Sequence, residues 1–129
     1  DRAVVDIAGD GSFIMTEQEL ACSVLEDIPV TVIVLNNGVL GMVAQWQRMF
    51  YKKRYIATKL GNYPDFVKLA ESYGAQGLRA RSIPEFQKAV QTALKSKVTT
   101  VIDVPIGSEE DVVPMVPPGC GLNQQVGEY

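Results

Sequence analysis

Two short apolar runs, separated by about one helix-length of chain, constrain the fold of this sequence more than any other feature. Residues 3–8 (Ala-Val-Val-Asp-Ile-Ala) lead into residues 9–11 (Gly-Asp-Gly), and residues 30–35 (Val-Thr-Val-Ile-Val-Leu) lead into residues 36–37 (Asn-Asn). Such runs are typical of parallel strands that are covered on both faces. We therefore predict a β-α-β unit whose two strands end side by side at one edge of a sheet.

The rest of the chain continues the alternation of helix and strand. Helices are predicted to begin at residues 16–19 (a Thr-x-x-Glu capping box), near 62–65 and at 82–85 (Ser-x-x-Glu), and strands at 75–80 and 98–104. This alternation predicts an α/β fold with an open, mostly parallel sheet flanked by helices. From Pro105 onward Pro and Gly dominate, which indicates an irregular tail.

The two turns at the predicted sheet edge carry residues suited to a metal and a phosphate. Asp10 offers a carboxylate and Asn37 an amide oxygen, the hard ligands that Mg²⁺ takes alongside phosphate oxygens. Gly9 and Gly11 allow the backbone to approach a ligand, and a following helix start favours an anion. Each turn alone is common, but their combination with two apolar strands predicts a metal-anchored diphosphate site.

This pairing resembles the thiamine-diphosphate motif, Gly-Asp-Gly followed after about two dozen residues by Asn-Asn. Residues 41–47 (Gly-Met-Val-Ala-Gln-Trp-Gln), with the aromatic and basic residues after them, resemble the catalytic subunit of acetolactate synthase (acetohydroxyacid synthase). Residues 62–70 and 113–119 are similar to later parts of that subunit. The resemblance covers essentially the whole chain, although residues 120–129 depart from it.

The resemblance implies a role for each residue near the sheet edge. Asp10 and Asn37 would give side-chain oxygens to Mg²⁺, and Val39 would give its backbone carbonyl. Backbone or hydroxyl groups would contact the diphosphate end of thiamine diphosphate at four positions: Gly9, Gly11, Ser12 and Gly41. Two further side chains would reach the cofactor ring and the second substrate, respectively: Met42 and Trp46. For Trp46, ordinary packing is the alternative.

The resembled enzymes decarboxylate pyruvate and condense the product with a second 2-keto acid, pyruvate or 2-ketobutyrate, in branched-chain amino-acid biosynthesis. Their activating glutamate lies on another domain of a partner subunit, so no residue here is assigned as catalytic. Their FAD binds chiefly to a middle domain and is not expected on this chain. The resemblance thus implies a fragment or processed piece that is inactive alone. It would consist of a diphosphate- and Mg²⁺-binding domain (residues 1–111) that lacks its opening segment, and a C-terminal tail (residues 112–129).

The implied partners are the remainder of the catalytic subunit, further copies in a homodimer or homotetramer, and a regulatory subunit. A net charge of −3 and a pI of about 4.9 argue against a nucleic-acid surface, and the single basic run, residues 52–54, is interpreted as a solvated helix face. The absence of histidine excludes His triads and His metal sites.

Cysteine usage and hydropathy bear on location. Cys22 and Cys120 lack ligand-like spacing, and Cys22 is expected to lie within a helix and to pack in the core. A reducing, cytoplasmic compartment fits this pattern. The sequence shows no apolar run of membrane-spanning length and no signal peptide, so no membrane partner is expected.

Several alternatives remain open from the sequence. Pyruvate oxidases, decarboxylases and sulfoacetaldehyde acetyltransferases share the two turns but are expected to lack the Met-Val-x-Gln-Trp string at residues 42–46. A non-catalytic nucleotide-binding module would need a third glycine after residues 9–11, and Ile14 stands there. The chain could also act only as an assembly surface. Residues 39–60 allow two interpretations, a core-facing helix or a segment over the cofactor.

Overall fold

The computed structural model describes residues 2–61 and 64–127. The described strands form one parallel sheet in the order β1-β2-β4-β3: β1 (Val5–Gly9), β2 (Thr31–Asn36), β3 (Gln76–Arg79) and β4 (Thr100–Pro105). The described helices are α1 (Asp10–Ile14), α2 (Glu19–Leu25), α3 (Gly41–Phe50), α4 (Phe66–Ser72) and α5 (Ile83–Lys95). The predicted open, parallel α/β sheet is confirmed. Asn62 and Tyr63, part of the predicted start of α4, lie outside the described residues.

The two central strands, β2 and β4, are buried on both faces because helices cover each side. On one face, valines of both strands pack with Phe13 and Phe66, whose rings meet edge to face at 5.7 Å. On the other face, Ile33 and Ile102 pack against α5. Each strand therefore contributes alternate residues to two separate cores, as its continuous apolar sequence predicts.

The outer strand β1 differs from the two central strands. Ile7 pairs with the buried Ile33 of β2, yet it is 67% exposed, and Val5 on the same face is exposed as well. Helix α5 packs over β2, β3 and β4 and does not extend to β1. The expectation that both apolar runs are covered on both faces is therefore wrong for one face of β1.

Several local predictions are also wrong. The first helix begins at Asp10 and not at a capping box near Thr16, because the chain turns into α1 directly after β1; no side chain caps α2. Cys22 is exposed, since α2 buries Leu20 instead. The basic run at residues 52–54 follows α3 as an exposed turn and is not a helix face.

The predicted start of α5 and the predicted end of α4 agree better with the structure. The Ser82 side chain accepts a bond from the N–H of Glu85, while the Glu85 carboxylate accepts from the N–H of Arg81, one residue before the expected partner. At the end of α4, Gly74 takes a φ of +84°, which suits glycine at a helix stop. Among the described helices, none combines the length and apolar character that a membrane span requires.

The contact between β3 and α4 yields a stability prediction. A Cβ on Gly77 would lie 2.5 Å from the carbonyl oxygen and 2.8 Å from the Cα of Val67, so Gly77→Ala must move backbone. We expect a loss of about 1–3 kcal/mol in the free energy of unfolding. In the control Gly107→Ala, the new Cβ meets only the flexible Glu110 side chain. Urea denaturation measures both variants, and equal stability of the two would contradict this packing.

Candidate functional site

The turn after β1 is bonded directly to the turn after β2. Asp10, the first residue of α1, is only 4% exposed. One of its carboxylate oxygens accepts from the N–H of Gly11 (2.9 Å) and the other from the N–H of Gly38 (2.7 Å). The two turns that the sequence analysis singled out therefore meet at the carboxyl edge of the sheet, where ligands bind open α/β folds.

The loop after β2 is held by its backbone. The Asn37 amide oxygen accepts from the N–H of Val39 (3.1 Å), and the carbonyl of Gly38 accepts from the N–H groups of Leu60 (2.8 Å) and Gly61 (3.0 Å). Gly38 has a φ of +69°, a conformation that favours glycine. These bonds fix the positions of Asn37 and Val39 beside Asp10.

Two glycines at this edge permit close packing. A Cβ on Gly11 would lie 2.8 Å from Leu40 Cδ2, and a Cβ on Gly41 would lie 2.9 Å from the amide nitrogen of Asn37. A side chain at position 11 would thus press on the end of the flexible Leu40 side chain, and one at position 41 would displace the Asn37 amide. Ser12 keeps an exposed hydroxyl, which donates to the carbonyl of Gly9 at 3.4 Å.

Helix α3 begins directly after this loop and presents an exposed apolar face. Met42 and Phe50 are exposed, and Trp46 is 36% exposed and meets the Phe50 ring edge to face at 6.4 Å. The buried residues of α3 are Ala44 and Gln45. A core-facing role for the aromatic face of α3 is therefore wrong in this structure, and Met42 and Trp46 remain accessible to a ligand.

Gln45, to which the sequence analysis gave no role, anchors α3. It is 2% exposed, its amide nitrogen donates to the carbonyl of Val112 (2.9 Å), and its oxygen accepts from the Val112 N–H (3.0 Å). One turn later Arg48 pairs with Asp111; hydrogen bonds to Tyr55 and to Asp111 raise the pKa of this guanidinium. The only sequence signal for this contact was a glutamine within a segment rich in aromatic residues; the structure shows that it lies on the buried side of α3.

A second polar cluster that the sequence analysis missed lies on the other side of the loop. Arg79, at the end of β3, donates from Nε to Asp103 (2.8 Å) and from a terminal nitrogen to Asp65 (2.7 Å). Asp103 also accepts from the side-chain amide of Asn36 (3.0 Å). These four residues line part of a cavity of about 400 Å³ that also reaches Asn37.

Hydrogen bonds and opposite charges shift two pKa values in this second cluster. Burial raises the pKa of Asp65, but bonds from the N–H groups of Lys68 and Val67 and the charge of Arg79 outweigh it, so the pKa lies below its ordinary value. The hydrogen bond to Asp103 is the main reason that the pKa of Arg79 is raised. Asp65 is also the N-cap of α4, so one carboxylate joins a helix start to the end of β3.

Asp10 itself offers a structural test of whether a cation fits. Among the described residues, no ion pair includes this nearly buried carboxylate, and only backbone N–H groups are bonded to it. A buried charge is costly unless it is paired, whereas each carboxylate oxygen can still accept a further ligand. Within residues 2–61 and 64–127 no three His, Cys, Asp or Glu side chains cluster. The available donors, a carboxylate, an amide and a backbone carbonyl, suit Mg²⁺ completed by phosphate or water oxygens.

Comparison with known proteins identifies the family of this chain. A family model described as "Thiamine pyrophosphate enzyme, C-terminal TPP binding domain" matches residues 1–104. The acetolactate synthase large subunit of Parasynechococcus marenigrum is 43% identical over 98% of this chain and 21% of its own length. The probable acetolactate synthase large subunit of Methanocaldococcus jannaschii is 45% identical over 95% of this chain and 21% of its length. The resemblance predicted from the motifs is confirmed.

A solved structure shares the fold. The thiamine diphosphate-dependent 4-hydroxybenzoylformate decarboxylase of Rhodococcus jostii matches 83% of this chain and 20% of its own, with a TM-score of 0.78 and 31% identity. The chain spans about a fifth of the length of the curated relatives it matches.

The cap of α4 allows a pH-dependent prediction. Because the pKa of Asp65 is lowered on folding, its ionisation stabilises the protein at neutral pH, and this contribution is lost as the pH falls below about 4. Asp65→Ala should cost about 1 kcal/mol at pH 7 through loss of the cap. Asp65→Asn can still cap, so its smaller deficit should shrink in acid. Urea denaturation between pH 7 and pH 3 tests this; a deficit of Asp65→Asn that did not change with pH would contradict it.

Proposed function

Since this chain belongs to the family of thiamine pyrophosphate enzymes, as their C-terminal cofactor-binding domain, we propose that its sheet edge holds the diphosphate of the cofactor through Mg²⁺. The single observation that carries the proposal is the bond between Asp10 and the N–H of Gly38, which brings a buried carboxylate, in no ion pair within residues 2–61 and 64–127, beside Asn37 and Val39. A divalent cation satisfies that carboxylate and attracts a diphosphate at the same time.

The proposal assigns a part to each residue at this edge. Asp10 and Asn37 hold the cation through side-chain oxygens, and Val39 does so through its carbonyl. Backbone and hydroxyl groups of four residues meet the diphosphate: Gly9, Gly11, Ser12 and Gly41. Met42, exposed at the start of α3, approaches the ring of the cofactor.

When bound, thiamine diphosphate supplies the carbon nucleophile and electron sink for decarboxylation of a 2-keto acid. The residues of this chain bind and orient it. No side chain here is proposed as the proton carrier that activates the cofactor, and we keep that role for a glutamate on another domain of a partner subunit.

We propose acetolactate synthesis as the reaction of the whole enzyme: pyruvate is decarboxylated and joined to pyruvate or 2-ketobutyrate, a step of branched-chain amino-acid biosynthesis. The names of the similar large subunits support this. Decarboxylation without condensation is the second candidate, supported by the structural likeness to a decarboxylase. A product assay that separates acetolactate from the aldehyde distinguishes the two.

The assembly is part of the same proposal. Residues 1–111 form the diphosphate- and Mg²⁺-binding domain and residues 112–129 its tail, and the remainder of the catalytic subunit completes the site. The full enzyme is a homodimer or homotetramer, binds FAD outside this chain, and pairs with a regulatory subunit. We also propose a cytoplasmic location, which suits a chain whose two cysteines lack ligand-like spacing.

Substitution of Asp10 tests the cation site. Asp10→Ala in the full-length enzyme removes the only charged ligand that we assign, so magnesium-dependent binding of thiamine diphosphate should be abolished. Asp6→Ala, which removes an exposed carboxylate from β1, the strand that leads into Asp10, is the matched control and should bind normally. Calorimetric titration of the cofactor with and without Mg²⁺ measures both. Unchanged affinity in Asp10→Ala would exclude this metal site.

Trp46 is proposed to shape the pocket for the second keto acid. Trp46→Leu should keep acetolactate formation but lower the preference for 2-ketobutyrate over pyruvate by about tenfold, because one methylene is worth about 1–3 kcal/mol. Tyr51→Leu, which alters an exposed aromatic residue just after α3, serves as the control. Competition between the two acceptors gives the product ratio. If that ratio stays at the wild-type value in Trp46→Leu, the tryptophan only packs.

A further inference from the structure

We propose that Asp103 is a positioning residue that sets the cation-binding loop, residues 36–39, by holding the side-chain amide of Asn36. This inference rests on the proposed function, because it assigns Asp103 a role in metal affinity at the Asp10 site. Asp103 belongs to β4 and does not bond to any of the three groups proposed to hold the cation. It is argued to act only through Asn36, the residue next to Asn37.

The loop is tied to β4 at Asn36 by two bonds. The carbonyl of Asn36 accepts from the N–H of Ile106 (2.9 Å), and its side-chain amide donates to one oxygen of Asp103 (3.0 Å). Two residues later, the N–H of Gly38 donates to Asp10. The segment between β2 and the cation site is therefore clamped at both ends, and Asn37 lies between the clamps.

Asp103 is itself fixed by a second partner. Its other oxygen accepts from Nε of Arg79, and Arg79 donates in turn to Asp65 at the start of α4. Asp103 pairs in register with Val34 on one side and with Arg79 on the other. The ends of β2, β3 and β4 and the start of α4 are thus joined into one network, whose last link is the amide of Asn36.

The burial of Asp103 argues that this network does more than stabilise the sheet. The residue is 2% exposed and continues a row on β4 whose preceding member, Val101, is fully buried and apolar. An apolar residue at position 103 would avoid the cost of burying a carboxylate, so the pairing of Asp103 with the partly exposed Arg79 is weak evidence for a purely stabilising role. What the carboxylate adds here is a fixed direction for the neighbouring amide, which is how residues behind metal ligands orient them.

Metal titration of the full-length enzyme tests the assignment. Asp103→Ala and Asn36→Ala are each expected to weaken Mg²⁺ binding about tenfold or more, measured by calorimetry with Mg²⁺ as titrant and thiamine diphosphate saturating. The Mg²⁺ concentration for half-maximal activity should rise in parallel, whereas kcat at saturating Mg²⁺ should change far less. Because Asp103 acts through Asn36, the two losses of Mg²⁺ affinity should not add. The double variant should bind Mg²⁺ as well as the single variant with the lower affinity.

Thr100→Val provides the matched control. Thr100 lies on the same strand, is fully buried and donates from its hydroxyl to Gln76, but it lies at the opposite end of β4 from the loop. The Thr100→Val substitution should lower the melting temperature and leave Mg²⁺ affinity unchanged. This control separates loss of sheet stability from loss of loop position.

These experiments distinguish the role of Asp103 from the existence of the cation site at Asp10. Wild-type Mg²⁺ affinity in Asn36→Ala, or additive losses in the double variant, would overturn the role of Asp103 while Asp10→Ala still abolished binding. Retained binding in Asp10→Ala would instead reject the cation site itself. If Asp103→Ala does not fold, Asn36→Ala decides, because Asn36 is only partly buried and its loss leaves the Asp103–Arg79 pair intact.

Discussion

The bond between the Asp10 carboxylate and the N–H of Gly38 is the interaction on which the rest of this site depends. It exists because β1 and β2 are adjacent and parallel, so that the turns after them leave the sheet at the same edge. Among the described residues, this buried carboxylate is bonded only to backbone N–H groups, so its oxygens keep the acceptor capacity that the proposed cation would use. The loop on the other side is already fixed by its backbone bonds, so binding a cation requires little reordering.

Much of this edge was predictable from sequence because its determinants are local. Apolar runs predicted the strands, and the turns contained the residue types that bind a cation and a phosphate. The capping box at Thr16 misled because a local motif competes with the tertiary fold: the turn after β1 already starts a helix at Asp10. Cys22 was misplaced because a short helix buries only one narrow side, here through Leu20.

The polar contacts behind the edge could not be read from the sequence. Arg79 is separated by 14 residues from Asp65 and by 24 from Asp103, and no spacing rule connects an arginine to carboxylates on other elements. The contact between Gln45 and Val112 spans 67 residues. Such pairs depend on strand order, since β3 lies outside β4 in the sheet although it precedes β4 in the chain.

The two halves of the candidate site are held in different ways, and this difference bears on what each can do. The loop of residues 36–39 is fixed by backbone bonds on several sides and by side chains from α1 and β4, so its geometry tolerates little change. Helix α3 is held to the segment around Val112 through Gln45 and Arg48, and leaves Met42 and Trp46 exposed. Substitutions on the exposed face of α3 therefore need not disturb the loop of residues 36–39. A fold built this way can keep one edge of the sheet unchanged while the exposed face of a neighbouring helix varies, and a decarboxylase shares this sheet; under the proposed function, α3 is therefore where substitutions should test specificity.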